Sequence, residues 1–247
     1  MKFDVLTIFP EMIAPYLREG ILGRAINRGI LLVNVLNLRD FAEDKHRSTD
    51  DRPYGGGNGM VMMPGPISKA FQSIGPHKGR SVSILLSPQG SPFNQAMAWE
   101  LAELDQIILI CGRYEGVDER VVELFADREI SAGDFVLSGG EIPALMVMDA
   151  VARLIPEVLG GERSTLEDTF EGGLLEYPQY TRPRVFMGLE VPPVLLSGDH
   201  ERIRLWRRME AIKKTLERRP DLLEKASLTE EDREILERLK RENPGNA

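Results

Sequence analysis

Two kinds of residue in this chain are spaced so that they can do chemistry. Glycines punctuate three apolar runs: SILLSPQG (83–90), IILICGRYEG (107–116) and DFVLSGGE (134–141). Glycine just past a strand end lets the backbone turn tightly and approach a ligand closely. Three such ends side by side make a crevice lined with main-chain N–H and C=O groups, and open α/β sheets bind ligands beyond the carboxyl ends of their strands. Charged side chains crowd a second stretch. There Arg39, Lys45, Arg47 and Arg52 are mixed with Asp40, Asp44, Asp50 and Asp51, and Tyr54 and Gly55–Gly57 follow. Basic groups can hold phosphates, an aromatic ring can stack on a base, and a carboxylate can accept N–H bonds from a base edge. A charge-balanced, solvated loop accounts for the same residues equally well.

Four further features stand more alone. Arg153 lies four residues after Asp149. The two read either as a surface ion pair worth a few tenths of a kcal/mol or as a cation aimed at developing negative charge. Asp168 sits among Glu162, Glu167 and Glu171; a lone carboxylate there is a solvated charge unless a substrate comes within hydrogen-bond reach of it. Cys111 has no local histidine to activate it, so a small buried hydrophobe is the expected role. From Arg202 to Arg219 a run rich in arginine puts Arg204, Arg207, Arg208 and Lys214 along one side of a helix, with Trp206 elsewhere. That face suits phosphate binding or plain solvation.

The elements that must position these residues follow from periodicity and punctuation. Short Val/Ile/Leu runs at 3–9, 30–38, near 81–87, at 107–111 and at 134–137 read as strands. Helices are expected over 12–28, from Pro66, near 92–103 with Pro92 in the first turn, over 116–126 and over 141–155. In the last of these, Ile142, Leu145, Met148, Ala152 and Ile155 form the apolar stripe. Strands alternating with helices predict an α/β fold with a mostly parallel sheet. Residues 161–176, with paired glycines around an acidic stretch, read as a flexible linker. A small all-α domain over 177–247 follows, with Ser197 or Asp199 capping its first long helix and Thr229 with Asp232 opening its last.

Composition narrows the class. The 247 residues carry a net charge of −8, which argues against non-specific nucleic-acid binding without excluding a local basic patch. One cysteine and three scattered histidines make neither a disulfide nor a metal-ligand motif. No signal peptide and no membrane-length apolar run is present, so a cytoplasmic location is expected. Neither GxGxxG nor GxxxxGK[ST] occurs, which counts against a nucleotide-dependent oxidoreductase on a conventional doubly wound sheet.

Read together, DVLTIFPEM, RDFAEDKHRSTDDRPYGGGNGM, LLSPQG, ILICGRYEGVDERV, GDFVLSGGE, TLEDTF, PQYTRP and VPPVLLSGDHERIRLWR closely resemble the bacterial tRNA (guanine-N1)-methyltransferases of the SPOUT class. The resemblance covers nearly the whole chain. It implies a deep trefoil knot in the domain at 1–160, a tRNA-binding helical domain and a homodimer with shared active sites. It also implies methyl transfer from S-adenosyl-L-methionine to N1 of the guanosine 3′-adjacent to the anticodon, position 37, with magnesium assisting but no dedicated metal site. By the same resemblance Asp168 is the general base and Arg153 the cation near guanine O6. The donor is expected against Leu86, Gly112, Tyr114, Glu115, Gly140 and the segment Ala132, Gly133, Asp134, Phe135, Val136, Leu137. Asp50 is expected to read the guanine, with Arg52 and Tyr54 beside it as substrate contacts. A non-catalytic tRNA-binding protein of the same fold is the alternative.

Overall fold

The computed structural model describes residues 1–75, 79–159, 170 and 173–242. The chain divides into two compact units, Met1–Glu162 and Arg163–Ala247. Asp168 and most of the expected linker lie outside the described residues.

The first unit is built on a five-stranded sheet. Its strands are β1 (Lys2–Thr7), β2 (Leu32–Asn37), β5 (Ser81–Pro92), β6 (Gln106–Cys111) and β7 (Arg128–Ser131), in the order β2-β1-β6-β5-β7. Every pairing is parallel, so all carboxyl ends meet at one edge. Each central strand alternates its side chains between two cores. Phe3, Val5, Ile107, Leu109, Ile84 and Leu86 face one cluster, which includes Ala144, Val147 and Val151. Leu6, Ile108, Ile110 and Leu85 face the other, with Ile67 and Val121. A sheet buried on both faces needs continuous apolar strands, and β6 is buried at all six positions. Each fully buried aliphatic side chain stabilises the fold by about 1.5–3 kcal/mol.

Helices α1 (Gly20–Asn27), α3 (Gln95–Ala102) and α5 (Glu141–Ala152) contribute to the first core, and α2 (Pro64–Ile74) and α4 (Glu119–Phe125) to the second. Three expectations change. The helix over 12–28 is two short 3-10 turns, Pro10–Met12 and Tyr16–Arg18, followed by α1. Pro15, which has no N–H to continue a helix, precedes the second turn, and Gly20 at φ +62° opens α1 at an angle. Pro92 ends β5 instead of opening a helix; Asn94 caps α3 by accepting from the Met97 N–H at 2.9 Å. Residues 134–137 form no strand: β7 is the preceding REIS segment, and Phe135 and Val136 are exposed. An apolar run of three is too short for periodicity to separate strand from loop. Between β2 and α2, a 3-10 turn (Leu38–Phe41) leads into the short hairpin β3 (Asp50–Asp51) and β4 (Val61–Met62).

The second unit contains α6 (His200–Arg218), the one-turn α7 (Pro220–Leu223) and α8 (Glu230–Glu242) around Leu174, Ile212, Ile235, Leu236 and Leu239. Asp199 caps α6 by accepting from the Arg202 N–H at 3.1 Å. Thr229 and Asp232 exchange the two bonds of a capping box at the start of α8. A small antiparallel hairpin, β8 (Val185–Phe186) with β9 (Leu189–Glu190), precedes α6 in the chain and was not anticipated from the sequence.

Candidate functional site

The carboxyl ends of β5, β6 and β7 surround a cavity of about 450 Å³. Leu86, Gly112, Tyr114, Glu115, Ala132, Phe135, Val136, Leu137 and Gly140 all line it, nine of the eleven residues expected at a donor site. Gly133 and Asp134 belong to the same loop and do not line it. Ser87, Pro88 and Gln89, at the register shift between Leu86 and Ser91 within β5, add a wall, and Ser138, Gly139 and Pro143 another. These went unassigned, although LLSPQG and SGGE were among the segments singled out. The size falls in the usual range of small-ligand pockets, about 300–1,000 Å³.

The glycine pair in the third loop serves the protein itself. The Gly140 N–H donates to the Gly112 carbonyl at 2.9 Å. A Cβ on Gly140 would come within 2.7 Å of the Cys111 Cα, and one on Gly139 within 2.2 Å of the Arg113 Nε. Two loops therefore touch backbone to backbone, a contact that only glycine permits.

A buried polar clasp holds that contact. Glu141, the first residue of α5, is fully buried. One carboxylate oxygen accepts from the Thr7 hydroxyl at 2.6 Å, and the other from Arg113 Nε at 2.9 Å and Nη2 at 2.9 Å. The Arg113 guanidinium also lies 4.4 Å over the Phe9 ring. A carboxylate gripped by two guanidinium N–H groups is among the stronger protein hydrogen-bond arrangements. It ties the carboxyl ends of β1 and β6 to the start of α5. Sequence reading missed Glu141; the available signal was one acid opening a mostly apolar helix directly after two glycines. Cys111, beneath this contact, is fully buried. Burial first, and then the Glu141 charge, push its thiol well above the usual value, so it stays a neutral hydrophobe.

Asp50, Arg52 and Tyr54 line a second, more open cleft of about 1,300 Å³. Val117 and Glu119 line both spaces, so the two adjoin. Tyr114 joins them chemically. Its backbone is left-handed at φ +62°, a strained state for a bulky residue and a frequent mark of function. Tyr114 borders the first cavity; burial first, then the Asp50 carboxylate, raise the pKa of its hydroxyl, and Arg39 opposes them.

Arg153 is not at either space. It caps the carboxyl end of α5, whereas the donor-type cavity meets the amino end at Gly140. Thirteen residues at 1.5 Å per residue separate the two by about 20 Å. The expected apolar stripe of α5 is broader than the sequence suggests. Met148 and Ala152 are buried and Leu145 and Ile155 pack against the core as expected, Ile142 is exposed, and Pro143, Ala144, Val147 and Val151 are buried as well, because the helix packs with a wide apolar face, which a single stripe does not capture.

Sheet and cavity together define an α/β protein with a cavity of small-ligand size at the carboxyl edge of a parallel sheet. The family model described as tRNA (Guanine-1)-methyltransferase TrmD matches residues 1–225, and the chain belongs to that family, which is of the SPOUT class. Proteins named tRNA (guanine-N(1)-)-methyltransferase are similar over nearly their full length. That of Dictyoglomus turgidum is 58% identical over 242 residues, covering 98% of each chain. That of Moorella thermoacetica is 56% identical over 243 residues, covering 98% of this chain and 97% of the relative. Among the described residues no helix is long and apolar enough to cross a membrane.

Proposed function

We propose that this protein transfers a methyl group from S-adenosyl-L-methionine to N1 of guanosine 37 of tRNA, the residue 3′-adjacent to the anticodon. The observation that carries the reading is the family match over residues 1–225, with relatives 58% and 56% identical along nearly the whole chain. The glycine-walled cavity at the edge of the sheet supports it with a space of suitable size and lining for the donor. The donor supplies an electrophilic methyl on a sulfonium.

Guanine N1 carries a proton at neutral pH and is a poor nucleophile until that proton leaves. Asp168 takes it. The new N1–C bond forms as the S–C bond breaks, and the sulfonium becomes a neutral thioether. Negative charge moving toward guanine O6 is met by Arg153. In-line displacement asks mainly for positioning, and the rigid walls of the cavity suit that need. Asp50, with its neighbours Arg52 and Tyr54, contacts the extruded guanine.

The active unit is a homodimer. The separation of about 20 Å along α5 between Arg153 and the cavity supports a site completed by a second chain. The exposed apolar tip of the β8–β9 hairpin, with Met187 88% and Leu189 77% exposed, supports self-association as well. In this reading residues 1–160 are the knotted methyltransferase domain, 161–176 the linker and 177–247 the tRNA-binding domain.

The test supplies labelled S-adenosyl-L-methionine and two transcripts, one with guanosine and one with adenosine at position 37. Label is expected only in the first; label in both or in neither overturns the assignment. Asp168→Asn is expected to keep donor binding and lose most turnover, and full activity in that variant removes Asp168 as the base.

A further inference from the structure

Several arginines of the second unit have carboxylate partners and others do not. Arg204 pairs with Glu201 and Glu231, Arg208 with Asp232, and Arg219 with Asp221. Lys214 donates to the Glu176 carbonyl at 3.0 Å. Most of the basic side expected from sequence is thus engaged within the protein. Arg207 is different. Its guanidinium lies 4.9 Å over the Tyr177 ring, and its Nε is buried without an acceptor on the protein. A buried N–H left without a partner is uncommon enough to need a reason.

Arg207 lines a pocket of about 470 Å³. Ile203, Trp206 and Arg207 share that face of α6, so Trp206 and Arg207 are neighbours there, contrary to the sequence expectation. Residues 177–184 supply the opposite wall, with Arg182 and Arg184. Tyr180 and Trp206 stand with ring centroids 6.3 Å apart. Three arginines and three aromatic rings line the pocket without one carboxylate, in a chain whose net charge is −8. None of the three arginines has an ion pair among the described residues.

We infer that this pocket binds one unstacked nucleotide of RNA, its base against Trp206 and Tyr180 and its phosphate at Arg207 with Arg182. The inference rests on the reading that tRNA is the substrate and specifies where the second unit grips it. Aromatic faces accept any base by stacking, and arginine holds the adjoining phosphate. A planar guanidinium fork matches phosphate oxygens. The exposed side chains of Tyr180, Arg182 and Arg184 leave the mouth accessible to a looped-out nucleotide.

The full-length protein and a tRNA transcript test this. The chain has two tryptophans, so Trp99→Phe leaves Trp206 as sole reporter. Titrated tRNA is expected to quench its emission, and S-adenosyl-L-methionine alone is not. Arg207→Gln is expected to weaken tRNA binding about tenfold. It should also flatten the plot of log affinity against log salt by about 0.7–0.9. Arg219→Gln removes the same charge from an engaged position and is expected to change neither. Arg182→Gln alters only an exposed side chain and should repeat the Arg207 result in smaller measure, which guards against misfolding at Arg207. Equal tRNA affinity in all three variants, or a silent Trp206, overturns the proposal. Loss of label transfer with this binding pattern intact counts against the methyltransferase reading and leaves the pocket standing.

Discussion

Arg113 in the first unit and Arg207 in the second each lie over an aromatic ring, 4.4 Å from Phe9 and 4.9 Å from Tyr177. Arg113 has its counter-charge within the protein: Glu141, fully buried, accepts from its Nε and Nη2. Arg207 has a buried Nε with no acceptor. The first arrangement fixes geometry before any ligand arrives. The second leaves binding capacity for an anion that the protein does not itself provide. A guanidinium beside a ring is therefore not a functional sign by itself. The carboxylate, present or absent, tells a structural arginine from a recognition arginine.

The sharpest way to break this contrast is Glu141→Ala. Removing one partner of a buried ion pair costs about 3–5 kcal/mol, because the remaining charge stays buried and unpaired. For a chain of this size that corresponds to a melting temperature lower by about 10 °C. Donor affinity should fall with it, since the loops of residues 112–116 and 138–140 lose their tie. Calorimetry reads both quantities. The paired change Arg113→Met with Glu141→Leu should recover most of the stability, as apolar replacements of buried pairs often do. A double variant no more stable than Glu141→Ala counts against the pair as the source.

Next in size is Gly140→Ala. The added methyl meets the Cys111 Cα at 2.7 Å, backbone that cannot swing aside, so overpacking of about 1–3 kcal/mol is expected. Unfolding in urea measures the loss. Donor binding should weaken more than this stability change alone implies, because the shift opens the wall between β6 and α5. Unchanged donor affinity would separate the glycine contact from the site.

Much of the first unit was legible in sequence because its central strands are short, nearly continuous apolar runs bounded by glycine or proline, which read as buried strands without any alternation. Cys111 was readable as a hydrophobe for the same reason, and the Thr229–Asp232 box because capping is local. What escaped was everything set by distant pairing. The DFVL run at 134–137 looks like a strand, yet REIS beside it takes the place next to β5. Glu141 looks like a surface acid until β1 and β6 bring Thr7 and Arg113 to it across 134 and 28 residues. Arg204, Arg207 and Arg208 look alike along one helix; Glu201 on that helix engages Arg204, and α8, which carries Glu231 and Asp232, engages Arg204 and Arg208 but not Arg207.

That sorting has a pH signature, the smallest effect of the set. Asp232 is the second unit's counterpart of Glu141. It accepts from Arg208 Nε at 2.6 Å and Nη2 at 2.7 Å, and from the Thr229 N–H at 2.8 Å. Arg208 foremost among these holds its carboxyl down to about 2, against an ordinary value of 3.8. A carboxyl whose folded pKa is depressed stabilises the fold fully above its unfolded value and loses that contribution as pH falls toward the folded one. The stability gap between the native chain and Asp232→Asn should therefore be constant from pH 7 to about 4 and close between about 4 and 2. Hydrogen exchange of the α8 amides, followed in both proteins across that range, measures it. A gap that does not change with pH would mean that the carboxylate acts there as a neutral cap. Arg208 would then be as available to a phosphate as Arg207, and the division of the arginines into engaged and open sets would lose its basis.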